Sequence, residues 1–275
     1  MRKARHLWRG LAALIACLAA ASAAPAQSPY ADWAAVVVAG DWRAQGDEEA
    51  PIFDNARRDL TALLQRQGFR SENIAQTTSA SRPDAGVPLT SYGSFLQALE
   101  TTTARARAGC LIYITSHGSP QGVVFGRSQM LSPERLDAAL DRYCANRPTV
   151  AVVSACFSGV FVPALAAPER MVLTAARPDR TSFGCGASNT HPYFDACVLQ
   201  NGPSARDFPT LAEAARECVS MRETAEGLKP PSEPQLFVGE AVAPMLQRLA
   251  FAAGGGAGAG GQPSSPPAGT RKVAR

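Results

Sequence analysis

Residues 110–118 read CLIYITSHG and residues 149–159 read TVAVVSACFSG, and these two stretches decide the fold. Their apolar parts, Cys110–Thr115 and Thr149–Ala155, are rich in β-branched side chains and are bounded by turn-forming residues, as buried strands are. Runs of this length favour strands over helices. Both runs are therefore predicted to be central parallel strands.

The segments around these runs alternate between strand and helix patterns. Further strands are predicted at Trp33–Gly40, near Ile74, at Met171–Ala175 and, as an edge strand, at Pro231–Gly239. Helices are predicted at Phe53–Gln67, at Ser91–Ala106, after the cap Ser132-Pro133, and from a capping box at Thr210–Glu213 to about Glu223. The alternation predicts one α/β domain with a mainly parallel sheet and helices on both faces.

The two ends of the chain differ from this body. Basic residues, an apolar run from Leu11 to Ala21 and the small residues Ala24-Pro25-Ala26 predict a secretory signal over residues 1–26. The apolar run is shorter than the ~20 residues that a membrane span needs. Lipidation at Cys17 is an alternative form of export. Residues 27–253 are predicted to be the folded domain, and the Gly/Pro/Ser-rich residues 254–275 a disordered tail.

The charge of the body argues against a nucleic-acid partner. The chain has 27 Lys and Arg and 23 Asp and Glu, but seven of the basic residues lie in the signal and the tail. The 20 that remain are outnumbered by the acids, so the positive footprint of a nucleic-acid binder is missing. The six cysteines after Cys17 favour disulfides in an oxidising compartment, with a connectivity that their spacing leaves open.

His117 and Cys156 are the residues that can carry chemistry. Each directly follows a predicted central strand, and the carboxyl ends of parallel strands open into one crevice. A free thiol has a pKa of about 8.5, and a nearby imidazolium raises the fraction that is thiolate. The pair therefore predicts acyl transfer, with main-chain N–H groups of Gly118 and Cys156 holding the oxyanion. The alternative for each residue alone is a buried cysteine or a structural histidine.

Three segments that carry these residues resemble the legumain family of cysteine peptidases, in the same order. They are Leu111–Gly126 (LIYITSHGSPQGVVFG), Ala151–Gly159 (AVVSACFSG) and Leu173–Cys185 (LTAARPDRTSFGC). With shorter blocks added, the resemblance extends over about residues 33–240. Caspases share the S-H-G and A-C-x-x-G patterns more distantly. The chain thus resembles an exported bacterial-type member of peptidase family C13, in the caspase-like clan.

The resemblance implies a caspase-like three-layer α/β/α sandwich with a mainly parallel, six-stranded sheet. It also implies a cysteine-type endopeptidase in which Cys156 is the catalytic cysteine and His117 the catalytic histidine. The implied partner is a peptide or protein substrate, with no cofactor and no metal. The oligomeric state is left open.

The chain departs from the legumain pattern in its pocket residues. Ser154 stands where legumains carry an acidic residue, Ser116 stands where they carry aspartate, and Ile52–Asp54 lacks their arginine. These departures bear on asparaginyl specificity and peptide-ligase activity, and not on the peptidase chemistry. Four residues are candidates for substrate binding because of their positions in the sequence, namely Ser154, Ser182, Asp195 and Arg43. The alternative is that they are loop residues without a role.

Two other functions are compatible with the same residues. A catalytically inactive caspase-like binding module would have the same fold, and a transpeptidase would use the same dyad with an amine in place of water. A zinc site is disfavoured, because Cys185, His191, Cys197 and Cys218 lack the close ligand pairs of structural zinc sites. The predicted location is the periplasm or cell envelope.

Overall fold

The structure is a computed structural model that describes residues 27–44 and 48–252. The predicted signal and tail lie outside the described residues. The strands described are β1 (Trp33–Ala39), β2 (Ile74–Thr77), β3 (Gly109–Thr115), β4 (Gly118–Ser119), β5 (Gly122–Val124), β6 (Met130–Leu131), β7 (Thr149–Ser154), β8 (Arg170–Thr174) and β9 (Gln235–Val238). The α-helices described are α1 (Ile52–Arg66), α2 (Tyr92–Arg105), α3 (Pro133–Tyr143), α4 (Phe161–Leu165), α5 (Tyr193–Asn201), α6 (Phe208–Ala225) and α7 (Ala243–Leu246).

The main sheet of the described residues has six strands in the order β2-β1-β3-β7-β8-β9. Its strands are parallel except β9, which pairs antiparallel with β8 at the edge. The predicted mainly parallel, six-stranded sheet is thus confirmed, including the edge position of the last strand. β3 and β7 are neighbours at its centre, and Thr115 lies opposite Ser154 at their carboxyl ends.

Helices cover both faces of this sheet. Successive side chains of a strand point to opposite faces. Tyr113 and Val152 belong to a core that includes residues of α1, α5 and α6. Ile112 and Val153, one position away, belong to a second core formed with α2, α3 and α4. The three-layer α/β/α arrangement is therefore confirmed.

The predicted start of α6 was wrong. The helix begins at Phe208, and the side chain of Asp207 caps it by accepting a hydrogen bond from the Thr210 N–H at 2.8 Å. Thr210 is thus the third helical residue rather than the cap. Pro209 fits this assignment, because a first-turn residue needs no N–H for the helix ladder.

A small antiparallel sheet follows His117 and was not predicted. Its strands β4, β5 and β6 pair in that order and contain two or three residues each. Strands this short carry no detectable alternation of polar and apolar residues. The Val124 N–H donates to the His117 carbonyl at 2.9 Å, so this sheet holds the histidine loop.

Two disulfides tie helices to the fold. Cys110 at the start of β3 is bonded to Cys144 at the end of α3, and Cys197 of α5 is bonded to Cys218 of α6. Cys156 and Cys185 are free thiols. Within residues 27–44 and 48–252, no helix has both the length and the apolar character that crossing a membrane requires.

Candidate active site

The two central strands deliver His117 and Cys156 to the same edge of the sheet. Thr115 and Ser154 are register partners, and the Ser116 N–H donates to the Ser154 carbonyl at 3.0 Å. His117 lies two residues after Thr115, and Cys156 lies two residues after Ser154. The structure therefore brings both residues to adjacent loops, as the crevice at the carboxyl ends of parallel strands requires.

Gly118 lies directly against the cysteine loop. A Cβ atom added to Gly118 would lie 2.1 Å from the Cys156 carbonyl oxygen and 3.0 Å from the Ala155 Cβ. No side chain fits in this space, since the obstructing atom belongs to the main chain. The close approach of the histidine and cysteine loops thus depends on glycine at this position.

Two contacts orient the His117 ring. Its Nε2 lies 3.1 Å from the Arg43 carbonyl oxygen. A carbonyl can only accept, so Nε2 carries the proton of this hydrogen bond and Nδ1 is the basic nitrogen of the neutral ring. Phe53 packs edge-on against the imidazole, with ring centroids 5.0 Å apart. The ring is therefore held from the loop after β1 and from the first turn of α1.

The Cys156 sulfur is in contact with Ser182. The Ser182 N–H donates to Sγ at 3.3 Å, and Sγ lies 3.6 Å from both the Ser182 carbonyl oxygen and its hydroxyl. Cys156 is itself partly exposed. Ser182 thus offers a donor to a thiolate and an acceptor to a thiol, so the same residue can hold the sulfur in either protonation state.

The segment after β8 also holds the rest of the cysteine loop. Phe157 adopts left-handed backbone geometry with φ of 58°, which is uncommon for a residue with a side chain. Its N–H donates to the Arg180 carbonyl at 2.7 Å, and the Ala176 N–H donates to the Ser158 hydroxyl at 3.2 Å. Together with Ser182, these bonds stabilise the turn that presents Cys156.

A buried carboxyl lies beneath the two strand ends. Asp195 has no exposed surface and accepts hydrogen bonds from the Tyr113 hydroxyl at 2.7 Å and the Thr115 hydroxyl at 2.5 Å. The Ser154 side chain also acts on this carboxyl and lowers its pKa. Burial raises the pKa of Asp195 to about 6, and the three hydroxyl groups oppose this shift. The carboxyl ties α5 to the carboxyl end of β3, just below the histidine loop.

The four predicted pocket residues fall into two groups. Ser182 and Arg43 contact the dyad, although Arg43 does so through its carbonyl while its side chain pairs with Asp41 at 3.2 Å. Ser154 and Asp195 are buried below the surface, and Ser154 lowers the pKa of Asp195. Neither of these two is an exposed loop residue without a role. Their contact with a substrate stays a prediction.

Several residues around the site were not found from the sequence. Phe53 packs on the His117 ring and on Cys185, and Tyr113 and Thr115 bond to Asp195. These contacts arise from the packing of α1, β3 and the segment before α5. Arg57 lies about one turn after Ile52–Asp54, where the family resemblance implies an arginine. It is buried and paired with Asp54 at 2.8 Å and with Asp84 at 2.6 Å. Among the described residues, no group of three or more His, Cys, Asp and Glu side chains is arranged to hold a metal ion.

Comparison with known proteins agrees with this architecture. Residues 100–202, which include both His117 and Cys156, match the model of the peptidase C13 family. No curated protein matches the chain significantly. The crystal structure of caspase-1 from Spodoptera frugiperda is similar, with 12% sequence identity, a TM-score of 0.55, and coverage of 77% of this chain and 88% of that chain. At this identity the similarity shows the fold alone.

The fold and its strand-end site define a caspase-like α/β protein. Residues 100–202 are thus similar to the peptidase C13 family, and the fold of the chain is similar to that of a caspase. The predicted resemblance is confirmed at this level. Family and fold together indicate a cysteine-peptidase-like function.

Proposed function

We propose that this protein is a cysteine-type endopeptidase that hydrolyses peptide bonds with Cys156 as nucleophile and His117 as general base and acid. The observation that carries the proposal is the pairing of Thr115 with Ser154, which places both side chains two residues beyond adjacent strand ends. The tight contact of Gly118 with the Cys156 carbonyl supports it, because it keeps the two loops together.

The orientation of His117 fits this role. Because the Arg43 carbonyl engages Nε2–H, Nδ1 is left to take the Cys156 proton. The thiolate then attacks the substrate carbonyl carbon, and the oxyanion binds the main-chain N–H groups of Gly118 and Cys156. The C–N bond breaks as the imidazolium protonates the leaving amine, which gives a thioester. Water hydrolyses the thioester with His117 again as base.

The same proposal assigns the substrate a place at the cysteine loop. Ser182 is half-buried and borders the sulfur, so a bound peptide would lie along the segment that contains it. Asp195 fixes the end of β3 by accepting a hydrogen bond from the Thr115 hydroxyl.

We also propose export to an oxidising compartment. The disulfides Cys110–Cys144 and Cys197–Cys218 support it, because such bonds persist outside reducing cytosol.

The test compares cleavage of a peptide library by the wild type, Cys156→Ala and His117→Ala. Both variants are expected to lose at least about 1,000-fold in kcat/KM, since each removes one half of an acyl-transfer pair. Matched controls are Cys185→Ala, which removes the other free thiol, and His191→Ala, which removes the other histidine of the body. Undiminished cleavage in Cys156→Ala or His117→Ala would refute the proposal.

Labelling with a thiol-reactive acyloxymethyl ketone separates the peptidase from an inactive binding module. Selective labelling of Cys156 that disappears in His117→Ala is expected of the peptidase. Labelling no faster than that of an unfolded thiol would instead support the binding module. Added amines that appear in the products would assign transpeptidation to the same dyad.

A further inference from the structure

The two free thiols of the described residues lie in the same region of the structure. Cys156 carries the proposed nucleophile, and Cys185 lies in the segment that leads from β8 to α5. This segment contacts the Cys156 sulfur through Ser182, three residues before Cys185. The other four cysteines described are already paired in disulfides.

Cys185 packs behind the dyad. It belongs to a small apolar cluster with Ile52 and Phe53, and Phe53 in turn packs on the His117 ring. Burial raises the pKa of the Cys185 thiol above its usual range, and the nearby charges of Cys156 and Asp195 raise it further. Cys185 is thus linked to the dyad along the chain through Ser182 and by packing through Phe53.

The two thiols differ in access to solvent. Cys156 is partly exposed, whereas Cys185 is 8% exposed and surrounded by apolar side chains. A small oxidant dissolved in water therefore reaches Cys156 first, while the buried thiol of Cys185 stays reduced. Glycines at positions 184 and 186 flank Cys185, and Gly184 has φ of 86°. A Cβ atom at Gly184 would meet the Tyr193 ring at 2.2 Å, whereas a Cβ atom at Gly186 would meet only the Asn189 side chain, at 3.9 Å.

We propose that Cys185 is a resolving cysteine that captures oxidised Cys156 as a Cys156–Cys185 disulfide. This inference rests on the reactive Cys156 of the proposed function. The Cys156 thiolate attacks hydrogen peroxide, the O–O bond breaks, and a sulfenic acid and hydroxide form. The Cys185 sulfur then attacks the sulfenic sulfur as its thiol proton leaves, so that an S–S bond forms, the S–O bond breaks and water is released.

The balance of this reaction is two thiols and one peroxide converted into one disulfide and two waters. A dithiol reductant reverses it by exchange and becomes a disulfide itself. The disulfide keeps Cys156 from the irreversible sulfinic state, and it also blocks the nucleophile. In an oxidising compartment, the Cys156–Cys185 disulfide would allow Cys156 to be recovered by a dithiol reductant after oxidation.

The experiment treats the full chain with hydrogen peroxide, followed by dithiothreitol or buffer. Peptide mapping without reduction then identifies the state of Cys156. The wild type is expected to form a Cys156–Cys185 cross-link, with a mass 2 Da lower for the pair. It is also expected to regain at least about 80% of its thiol labelling after reduction, as a reversible disulfide should.

Cys185→Ser is the matched variant, since it keeps the size of the side chain and removes the sulfur. It is expected to accumulate sulfinic acid at Cys156 and to regain about tenfold less thiol labelling after reduction. Equal recovery in wild type and Cys185→Ser, or sulfinic acid at equal rates in both, would overturn the proposal. Cys156→Ala should form no peroxide-dependent cross-link.

These readouts do not depend on proteolysis. A cross-link in a protein that never cleaves peptides would uphold the redox pair and refute the peptidase. Cleavage that depends on Cys156, without any cross-link, would uphold the peptidase and refute the redox pair.

Discussion

The main-chain N–H of Ser182 donates to the sulfur of Cys156 at 3.3 Å, and the Ser182 hydroxyl lies 3.6 Å from the same sulfur. The loop after β8 thus holds the proposed nucleophile that β7 delivers. The effects of the Ser182 N–H and of its hydroxyl on the reactivity of Cys156 can be separated, because Ser182→Ala removes only the hydroxyl.

Ser182→Ala is expected to lower the rate at which iodoacetamide alkylates Cys156 at pH 7 by about threefold, as a long neutral contact is lost while the N–H remains. The rate is measured by mass spectrometry of the Cys156 peptide. Ser220→Ala on the exposed side of α6 is the control and should leave the rate unchanged. An equal or faster rate in Ser182→Ala would show that the hydroxyl does not stabilise the thiolate.

Gly118→Ala is expected to destabilise the protein by roughly 1–3 kcal/mol, because the new Cβ would meet the Cys156 carbonyl oxygen at 2.1 Å. Displacement of the two loops should also lower kcat/KM by at least about 100-fold. Thermal unfolding and peptide cleavage measure the two effects.

The control for this variant is Gly93→Ala in α2. A Cβ at Gly93 meets its nearest atom at 3.8 Å, so alanine there should stabilise the helix by about 0.5–1 kcal/mol. If both variants behave alike, the contact between Gly118 and Cys156 does not limit either stability or activity.

Asp195 makes the stability of the protein depend on pH. Burial raises its pKa from 3.8 to about 6, so between these values the folded state binds more protons than the unfolded state. The free energy of unfolding therefore falls as pH rises from about 4 to 6 and then levels off, with a contribution of roughly 3 kcal/mol.

Asp195→Asn removes this titration and keeps a side chain of the same shape. The fall in the free energy of unfolding between pH 4 and 6 should be smaller in the variant by roughly 3 kcal/mol. Urea denaturation at several pH values measures this difference. Asp32→Asn, at an exposed residue just before β1, is the control. Identical pH slopes in wild type and Asp195→Asn would contradict the assignment.

The disulfide between Cys110 and Cys144 closes a segment of 34 residues. Replacing both cysteines with alanine is expected to lower the free energy of unfolding by about 3 kcal/mol, since the unfolded chain regains the freedom of that loop. Denaturation of the variant and of the wild type with and without reductant measures the loss. A reductant that destabilises both proteins equally would show that this disulfide contributes little.

Much of the fold was predictable because its signals are local. The apolar runs of β1, β3 and β7 and the helical spacing of α1 identified elements whose bounds agree with the structure to within one or two residues. The start of α6 was misplaced by three residues, since Thr210 and Asp207 both suit a cap and only the hydrogen bond distinguishes them. The strands β4 to β6 are too short to show a pattern.

The amino-acid sequence by itself determined the parallel sheet and the strand-end positions of His117 and Cys156, because hydrophobic periodicity and the order of the segments are written along the chain. Only the tertiary structure decided that Arg43 meets His117 through its carbonyl, that Ser182 holds the sulfur, and that Cys185 lies behind the dyad. The last two positions depend on how the irregular segment between β8 and α5 packs. Such contacts depend on packing across the whole core, so no local pattern in the sequence predicts them.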